Sequence, residues 1–378
     1  MKIFFICGSL EPGRDGVGDY SRRLCGALLR KGIVTQITSL CDHHATTFTK
    51  ENQLVEGETV VVNRIPLASS NSQRLSWLHY ILNDFKPDWI SLQYVPYSFH
   101  PKGLPFWFPS FLQNIKGNHK WHIMFHELWI GMDTNASFKN KCNGLLQKRI
   151  IKQVLEGKEK KIINTQIDLY QHKIASLGYE VALLPLFSNI IKSKDSSSVT
   201  RSNESEIRFC HFGSIHYGAP VHEFITDLQL VLAASKEKKE LKFIFIGSCG
   251  VALKEWKEQL DAHSINYEIT GFVSNEEIST ILSSCHYGIS TTPYILNQKS
   301  GSLAAMLDHE LPAICVARHW EVEGFNQEQF LNLLNYKNQE TIEKLLNKKF
   351  ILSNENDLEF VAQKFLMGLK EGTDLWQV

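Results

Sequence analysis

The feature that most constrains this chain is an alternation: short runs rich in β-branched and aromatic residues, bounded by turn residues, take turns with helical patterns of ten or more residues. In the first half the runs are KIFFICG (2–8), VTQITSL (34–40), TVVVNRI (59–65), DWISLQYV (88–95), WHIMFH (121–126), KIINT (161–165) and VALLPL (181–186). The first helical pattern, DYSRRLCGALLRKG, closes on a glycine, the usual stop signal. Strands and helices in this order are the signature of parallel βαβ units. Over SNIIKSKDSSSVTRSNESE (188–206) the periodicity lapses into a linker or exposed loop. It restarts with IRFCHFG (207–213), LKFIFIG (241–247), YEITGF (267–272) and HYGISTT (286–292), separated by helical patterns from Val221, from Val251 and over 274–284. The expected fold is therefore α/β, with two tandem Rossmann-like domains at 1–187 and 207–355. A chain of 378 residues suits two cores. Such sheets bind ligands beyond the carboxyl ends of their strands, and two such edges are expected to face one another across an interdomain cleft.

Several classes are excluded early. No apolar run approaches the ~20 residues needed to span a bilayer. The opening MKIFFICGSLEPGRDG passes straight into a polar, glycine-rich loop and reads as a first strand, not a leader. Eight cysteines show no close-paired spacing and several sit in apolar runs, which points to reduced core cysteines and a cytoplasmic location. His122 and His126 fall on a strand pattern, too apolar to put both on one helix face as a metal pair. Neither a P-loop, a nucleophile motif nor a nucleic-acid module is present.

Net charge is zero overall, but residues 1–187 hold 22 Lys and Arg against 15 Asp and Glu. The excess gathers at Lys139, Lys141, Lys148, Arg149, Lys152, Lys158, Lys160 and Lys161, around a helical pattern whose expected apolar face is Leu145, Leu146, Ile150 and Val154. A solvated helix face is the plain reading; the same pattern over 139–161 also suits peripheral contact with anionic lipid.

Three places carry chemistry. The loop GSLEPGRDGVGDYSRRL brings Gly8, Gly13, Gly16 and Gly18 to the start of a helix, a pattern compatible with a tight turn and with a phosphate loop alike. It lacks the third glycine and the later acidic residue of a dinucleotide fingerprint, so NAD is not expected. His126, followed by Glu127, ends a strand pattern at the edge where such sheets work. In NQKSGSLAAMLDHELPAICV (297–316), Ser300, Gly301 and Ser302 open a helix expected over about 302–309. A serine there is a natural cap, but Lys299 beside it adds a positive charge to the helix start, which suits phosphate oxygens. The aromatic run QYVPYSFHPKGLPFWFPSF (93–111) can grip a sugar or lipid acceptor or simply pack.

Taken in order, Asp15-Gly16-Val17-Gly18-Asp19-Tyr20, LQYVPYSFHPKGLPFW, MFHELW, VALLPLFSNI, CHFGSIHYG, FIFIGSCG, ITGFVSNEEI and SGSLAAMLDHELPAICV resemble the motifs of the GT-B glycosyltransferases, close to the retaining nucleotide-sugar group, over about residues 1–335. The resemblance implies an N-terminal acceptor domain, a C-terminal donor domain, and a final helix at 356–378 returning to the first domain. It places Gly16 and Gly18 at the donor phosphates or the acceptor, and His126 at the transferred sugar. Gly213 and Ser214 would begin the donor-phosphate loop, Phe272 and Val273 would hold the base, and Ser300, Gly301 and Ser302 would meet the diphosphate. Three departures stand out. Ser214 and Ala219-Pro220 replace an Arg and a Lys of many relatives. The first of two paired glutamates falls on Leu296 or Asn297, and the second on Ala304 or Ala305. The implied activity is transfer of a sugar from a nucleotide-diphosphate sugar to a saccharide or lipid-linked acceptor, without metal or further cofactor. The rival readings are a sugar-nucleotide epimerase, with Glu127 as its evident carboxylate, and a non-catalytic binding subunit.

Overall fold

The computed structural model describes residues 1–192, 205–235, 239–347 and 357–375, which fall into two compact units. The first takes Met1–Pro185, Glu321–Phe325 and the C-terminal helix; the second takes the described residues of Leu186–Trp320 and Asn326–Asp357. Most of the expected linker, 193–204, lies outside the described residues, as do 348–356. Its start at 188–192 is not a tether: Ile190 is buried in the second unit's core. The break at Glu321–Phe325 was not foreseen from the pattern. Its physical basis is a hydrogen bond from the Thr134 amide to the Glu321 carbonyl at 2.9 Å and the Phe325 ring 5.6 Å from that of His172.

In the first unit the chain runs β1 (Lys2–Cys7), α1 (Gly16–Arg30), β2 (Val34–Asp42), β3 (Thr49–Val55), β4 (Glu58–Pro66), α2 (Asn71–Phe85), β5 (Trp89–Tyr94), α3 (Pro96–Phe99), α4 (Phe108–Gln113), β6 (Lys120–Phe125), α5 (Phe138–Glu156), β7 (Lys161–Thr165), α6 (Asp168–Ala175) and β8 (Ala182–Leu183). The strands form one sheet in the order β3-β4-β2-β1-β5-β6-β7-β8. Every pairing is parallel except β3 on β4. That edge hairpin, absent from the sequence expectation, is made from TKENQLV, whose mostly polar, half-exposed residues carry no buried-strand signal. Glu56 and Gly57, both at positive φ (49° and 87°), close it as a two-residue turn.

The second unit continues with β9 (Glu206–Phe212), α7 (Val221–Ala234), β10 (Glu240–Ile246), α8 (Leu253–Ala262), β11 (Asn266–Gly271), α9 (Asn275–Ser284), β12 (Tyr287–Ser290), α10 (Gly301–Asp308), β13 (Ala313–Cys315), β14 (Leu333–Asn335) and α11 (Gln339–Asn347). Its sheet, ordered β11-β10-β9-β12-β13-β14, is parallel throughout. Period-two alternation splits its core. Phe209, Phe243 and Phe245 pack on one face with Phe224 and Trp256 from α7 and α8. Cys210, Ile244 and Ile246 pack on the other with Ile278 and Leu282 from α9 and Ala305 and Met306 from α10. The last helix, α12 (Leu358–Leu375), belongs to the first unit. Phe365 stacks on Phe5 at 5.9 Å, and Glu359 meets Arg30 and Lys31 at 2.8 and 2.7 Å.

Helix α5 departs from the expected apolar face. Its buried face is Gly144, Gln147, Ile150, Ile151, Val154 and Leu155, while Leu145 and Leu146 point to solvent. The reason is local: Gly144 lies against the Ile130 carbonyl and Gln147 Oε1 accepts from the Ile130 amide at 2.8 Å, which turns inward the stripe at i, i+3, i+4 and i+7 from Gln147 and leaves Leu145 and Leu146 outside it.

At the end of β2, Asp42 is fully buried. It accepts hydrogen bonds from the Leu10 and His44 amides at 2.9 and 3.0 Å and from both arms of Arg64 at 3.0 and 2.9 Å. Burial opposes its ionisation, but the Arg64 and amide bonds outweigh burial and hold its carboxyl down at about 2. A carboxyl lowered in the folded state contributes stability above its unfolded value of ~3.9, lost as pH falls towards 2. Asp42→Asn should thus lower the unfolding free energy by about 2 kcal/mol at pH 7. The gap to the unmodified protein should narrow between pH 4 and pH 3 in urea melts; a gap independent of pH would remove the ion pair from this account.

Candidate functional site

In each sheet the chain leaves the first strand in one direction and later returns to its other side. The reversals fall between β1 and β5 in the first unit and between β9 and β12 in the second. Loops part at such switch points and leave room beyond the strand ends.

At the first, a pocket of ≈ 390 Å³ is lined by Gly8, Ser9, Asp15, His43, Val95, Tyr97, Ser98 and Glu127. These follow the carboxyl ends of β1, β2, β5 and β6. Gly18 is required for packing, since a Cβ there would lie 2.4 Å from the Ser9 carbonyl oxygen, whereas one at Gly16 would meet nothing within 4 Å. Asp15 caps α1 by accepting from the Gly18 amide at 2.7 Å, and burial raises its carboxyl pKa despite the Gly18 and Val17 amides. The helix start that the glycines were expected to offer to phosphate is thus occupied by the chain's own carboxylate.

Glu127 lines this pocket; His126 is buried behind it. Its backbone amide donates to the Tyr94 carbonyl at 3.1 Å, its ring meets Tyr20 edge-on at 5.0 Å, and its Nε2 donates to Gln93 Oε1 at 2.8 Å. Gln93 Nε2 in turn donates to Ser91 Oγ at 2.7 Å, and Ser91 Oγ to His122 Nδ1 at 2.8 Å. His122 Nε2 donates to Asn164 Oδ1 at 3.0 Å, and Asn164 Nδ2 to the Ala182 carbonyl at 3.0 Å. One row of polar side chains thereby crosses β5, β6, β7 and β8 and fixes the ring of His126. Burial pushes the His122 imidazole down to about 4, keeping it neutral.

At the second switch point the loop after β9 meets three other strand ends. Gly213 stands at φ +90°, and a Cβ there would lie 2.8 Å from Ser302 Oγ, so loop and α10 start are in contact. The Ile215 amide donates to the Cys249 carbonyl at 2.9 Å, and the His216 amide to Thr291 Oγ1 at 3.0 Å. Beside Gly218, Arg318 approaches from the loop after β13, its Cβ 3.3 Å from where a Gly218 Cβ would stand. Burial first, then the Lys299 and Arg318 charges, lowers the pKa of His216, so both charges are felt at that ring. Ser300 is the N-cap of α10, its Oγ accepting from the Leu303 amide at 3.3 Å. No acceptor among the described residues takes the Gly301 or Ser302 amide. This corner is therefore a short arc of amides and cations, with a neutral cap in place of a carboxylate.

The remaining residues are placed as follows. Ser214 lies in this loop; Phe272 and Val273 follow β11 at the sheet edge, Phe272 88% exposed and Val273 packed against the core. Asn297 is buried and ties the turn before α10 together, accepting from Ser290 Oγ at 2.6 Å and donating to the Thr292 carbonyl at 2.8 Å. Ala304 and Ala305 are core residues. The positions of the paired glutamates are thus given over to packing. Asp15, His43, Tyr97, Ser98, His216 and Arg318 were missed as site residues from sequence. Arg318 had no local signal; Asp15, by contrast, carries the ordinary signature of an N-cap two residues before Val17. Among the described residues no cluster of His, Cys, Asp and Glu could hold a metal ion.

Among solved structures, the sucrose-phosphate synthase of Thermosynechococcus elongatus aligns with 100% of this chain and 98% of its own at 12% identity and a TM-score of 0.62. HepE from Anabaena, in complex with UDP and glucose, aligns over 100% of both chains at 12% identity and a TM-score of 0.58. The fold is GT-B. The same GT-B scaffold also carries the UDP-GlcNAc 2-epimerase of Methanocaldococcus jannaschii, which covers 98% of this chain and 100% of its own at 12% identity and a TM-score of 0.55. No family model and no curated protein sequence matches the chain.

Gly16 and Gly18 of α1 should separate cleanly. Gly18→Ala forces α1 away from the Ser9 backbone and should destabilise by about 1–3 kcal/mol, as overpacking does. Gly16→Ala, with open space around it, should melt within a degree or two of the unmodified protein in a thermal scan, as expected for about 0.5 kcal/mol or less. Equal losses would mean that the loop packs differently.

Proposed function

We propose that this chain is a glycosyltransferase that moves a sugar from a nucleotide-diphosphate sugar to an acceptor hydroxyl. The second unit holds the donor diphosphate against the Gly301 and Ser302 amides, with Lys299, Arg318 and His216 around it. Gly213 and Ser214 border this seat, and Phe272 and Val273 offer main chain to the base. The reading is carried by an α10 start that follows Lys299, keeps two open amides and touches the Gly213–Gly218 loop, which bears His216 and lies beside Arg318. Charge builds on the diphosphate as the glycosidic bond breaks. Dipoles and cations already aimed there lower the barrier without reorganising.

The pocket of the first unit takes the acceptor. Its carboxylates, Asp15 and Glu127, repel phosphate and accept hydrogen bonds from sugar hydroxyls. Gly16 and Gly18 shape that pocket's rim, and His126 orients Glu127 and the transferred sugar from behind. Transfer with retention, in which the leaving phosphate takes the acceptor proton, is the finer form of this proposal. It needs no metal or additional cofactor. The eight unbonded cysteines, seven of them buried, support a reducing, cytoplasmic compartment.

A second reading, epimerisation of a sugar nucleotide, is favoured by one observation: Asp15 and Glu127 line the same pocket and could divide acid and base work. Incubation with UDP-sugars, with and without saccharide acceptors, decides between them. A transferase releases UDP in step with a new glycoside, whereas an epimerase changes the sugar of the donor with no acceptor present. For the transferase, Lys299→Ala and Arg318→Ala should each lower turnover about a hundredfold, as loss of one preorganised charge-stabilising group does, with unchanged melting temperature. Full turnover in both variants would sink the diphosphate seat.

A further inference from the structure

Helix α5 carries a surface that neither the core nor the candidate site uses. Phe138 is 83% exposed and Leu145 67% exposed. At 100° per residue they share one face with Lys141, Arg149 and Lys152, at i, i+3, i+7, i+11 and i+14 from Phe138. Leu146, 40% exposed, borders that face. Lys139 flanks it, and Lys148 is held with its ammonium 5.4 Å from the Trp129 ring. Five cationic side chains stand on the helix against the single carboxylate of Glu156. Among the described residues Lys139, Lys148, Arg149 and Lys152 form no salt bridge. The buried stripe of Ile150, Ile151, Val154 and Leu155 is complete without Phe138 and Leu145, so the core gives these two no reason to be apolar.

Lys158 and Lys161 do not belong to this surface. Lys158 donates to the Leu112 carbonyl at 2.9 Å and lies over the Trp121 ring, and burial pushes its ammonium down to about 8. Lys161 donates to the Lys158 carbonyl at 2.6 Å. Lys158 and Lys161 are thus turned to the protein, and the cations of this surface are those on the exposed face of α5.

We infer that this face docks on an anionic lipid bilayer, with Phe138 and Leu145 entering the headgroup region and Arg149 and Lys152 meeting lipid phosphates, while the Lys141 ammonium, which donates to the Thr134 carbonyl at 3.1 Å, adds its charge beside them. An acidic protein or a nucleic acid would be matched by the charges alone. The exposed aromatic and aliphatic side chains in the midst of those charges favour a partner that is anionic at its surface and apolar a few ångströms beneath. Because α5 follows β6, its start with Phe138 lies at the carboxyl edge of the first sheet, the edge on which the Glu127 pocket opens. The inference does not depend on the chemistry of that pocket.

Co-sedimentation of the full chain with phosphatidylglycerol–phosphatidylcholine vesicles tests it against vesicles of phosphatidylcholine alone. Binding is expected only with the anionic vesicles and should weaken with salt. Arg149→Gln with Lys152→Gln should weaken it about thirtyfold, the effect of two cations near a charged membrane at ~1 kcal/mol each. Phe138→Ser with Leu145→Ser should weaken it about tenfold or more. Both pairs lie at the surface and should keep the parent melting temperature. Absence of binding to the anionic vesicles overturns the inference. So does binding that survives the serine pair, which would make the face a purely electrostatic dock for an acidic protein or nucleic acid.

Discussion

A helix start can serve a ligand only if the chain has not already filled it, and the functional reading of this molecule depends on that constraint. Two helices begin at the switch points of the two sheets, and they differ. At α1 the Asp15 carboxylate takes the Gly18 amide, so an anion arriving there would meet a negative charge where the helix dipole would otherwise welcome it. At α10 the cap is the neutral Ser300 hydroxyl, which takes the Leu303 amide and leaves those of Gly301 and Ser302. Lys299 adjoins this start in the sequence, and its charge and that of Arg318 are both felt at His216. The polarity of the two sites is set at the level of one capping residue each.

Much of the fold was legible because parallel sheets write themselves plainly. Strands covered on both faces are continuous apolar runs, as in Ile3–Cys7 and Phe243–Ile246, and the crossovers between them have to be helices. What escaped were elements whose stability comes from a neighbour. The β3 strand is polar because an edge strand needs only its backbone bonds to β4. β8 shrank to Ala182–Leu183, although VALLPL has the composition of a longer strand. Glu321–Phe325 joined the first unit through contacts with Thr134 and His172, far away along the chain, which no local pattern encodes.

The candidate site was legible in a different way. Lys299, Ser300, Gly301 and Ser302 could be found because their meaning lies in adjacency along the chain. Arg318 could not, because it reaches the Gly213–Gly218 loop only through the return of β13 beside β12. The glycines of the β1–α1 loop were visible, but their roles were not: Gly18 is fixed by the Ser9 carbonyl, whereas a Cβ at Gly16 would meet nothing within 4 Å. His126 was singled out by its place at a strand end, and its surroundings explain that place as much as any chemistry would. It anchors a row of hydrogen bonds that satisfies Gln93, Ser91, His122 and Asn164 inside the sheet, where an unpaired polar group would cost about 1–3 kcal/mol.

That transferases and an epimerase share this scaffold means that fold does not choose between them, and the choice has to come from side chains. Both reactions act on a sugar nucleotide, so the diphosphate seat proposed at α10 would suit either. The reactions part at the first unit, where an epimerase needs two groups that exchange protons with the sugar and a transferase needs only to hold an acceptor hydroxyl. Burial raises the Asp15 pKa, which is the direction an acid would need, but the Gly18 amide binds its ionised form, and a carboxylate engaged as a helix cap is poorly placed to give up that bond in each turnover. Glu127 is then the other carboxylate on that pocket's wall. One such group suffices to orient a hydroxyl, which is why transfer is the reading proposed above and epimerisation its rival.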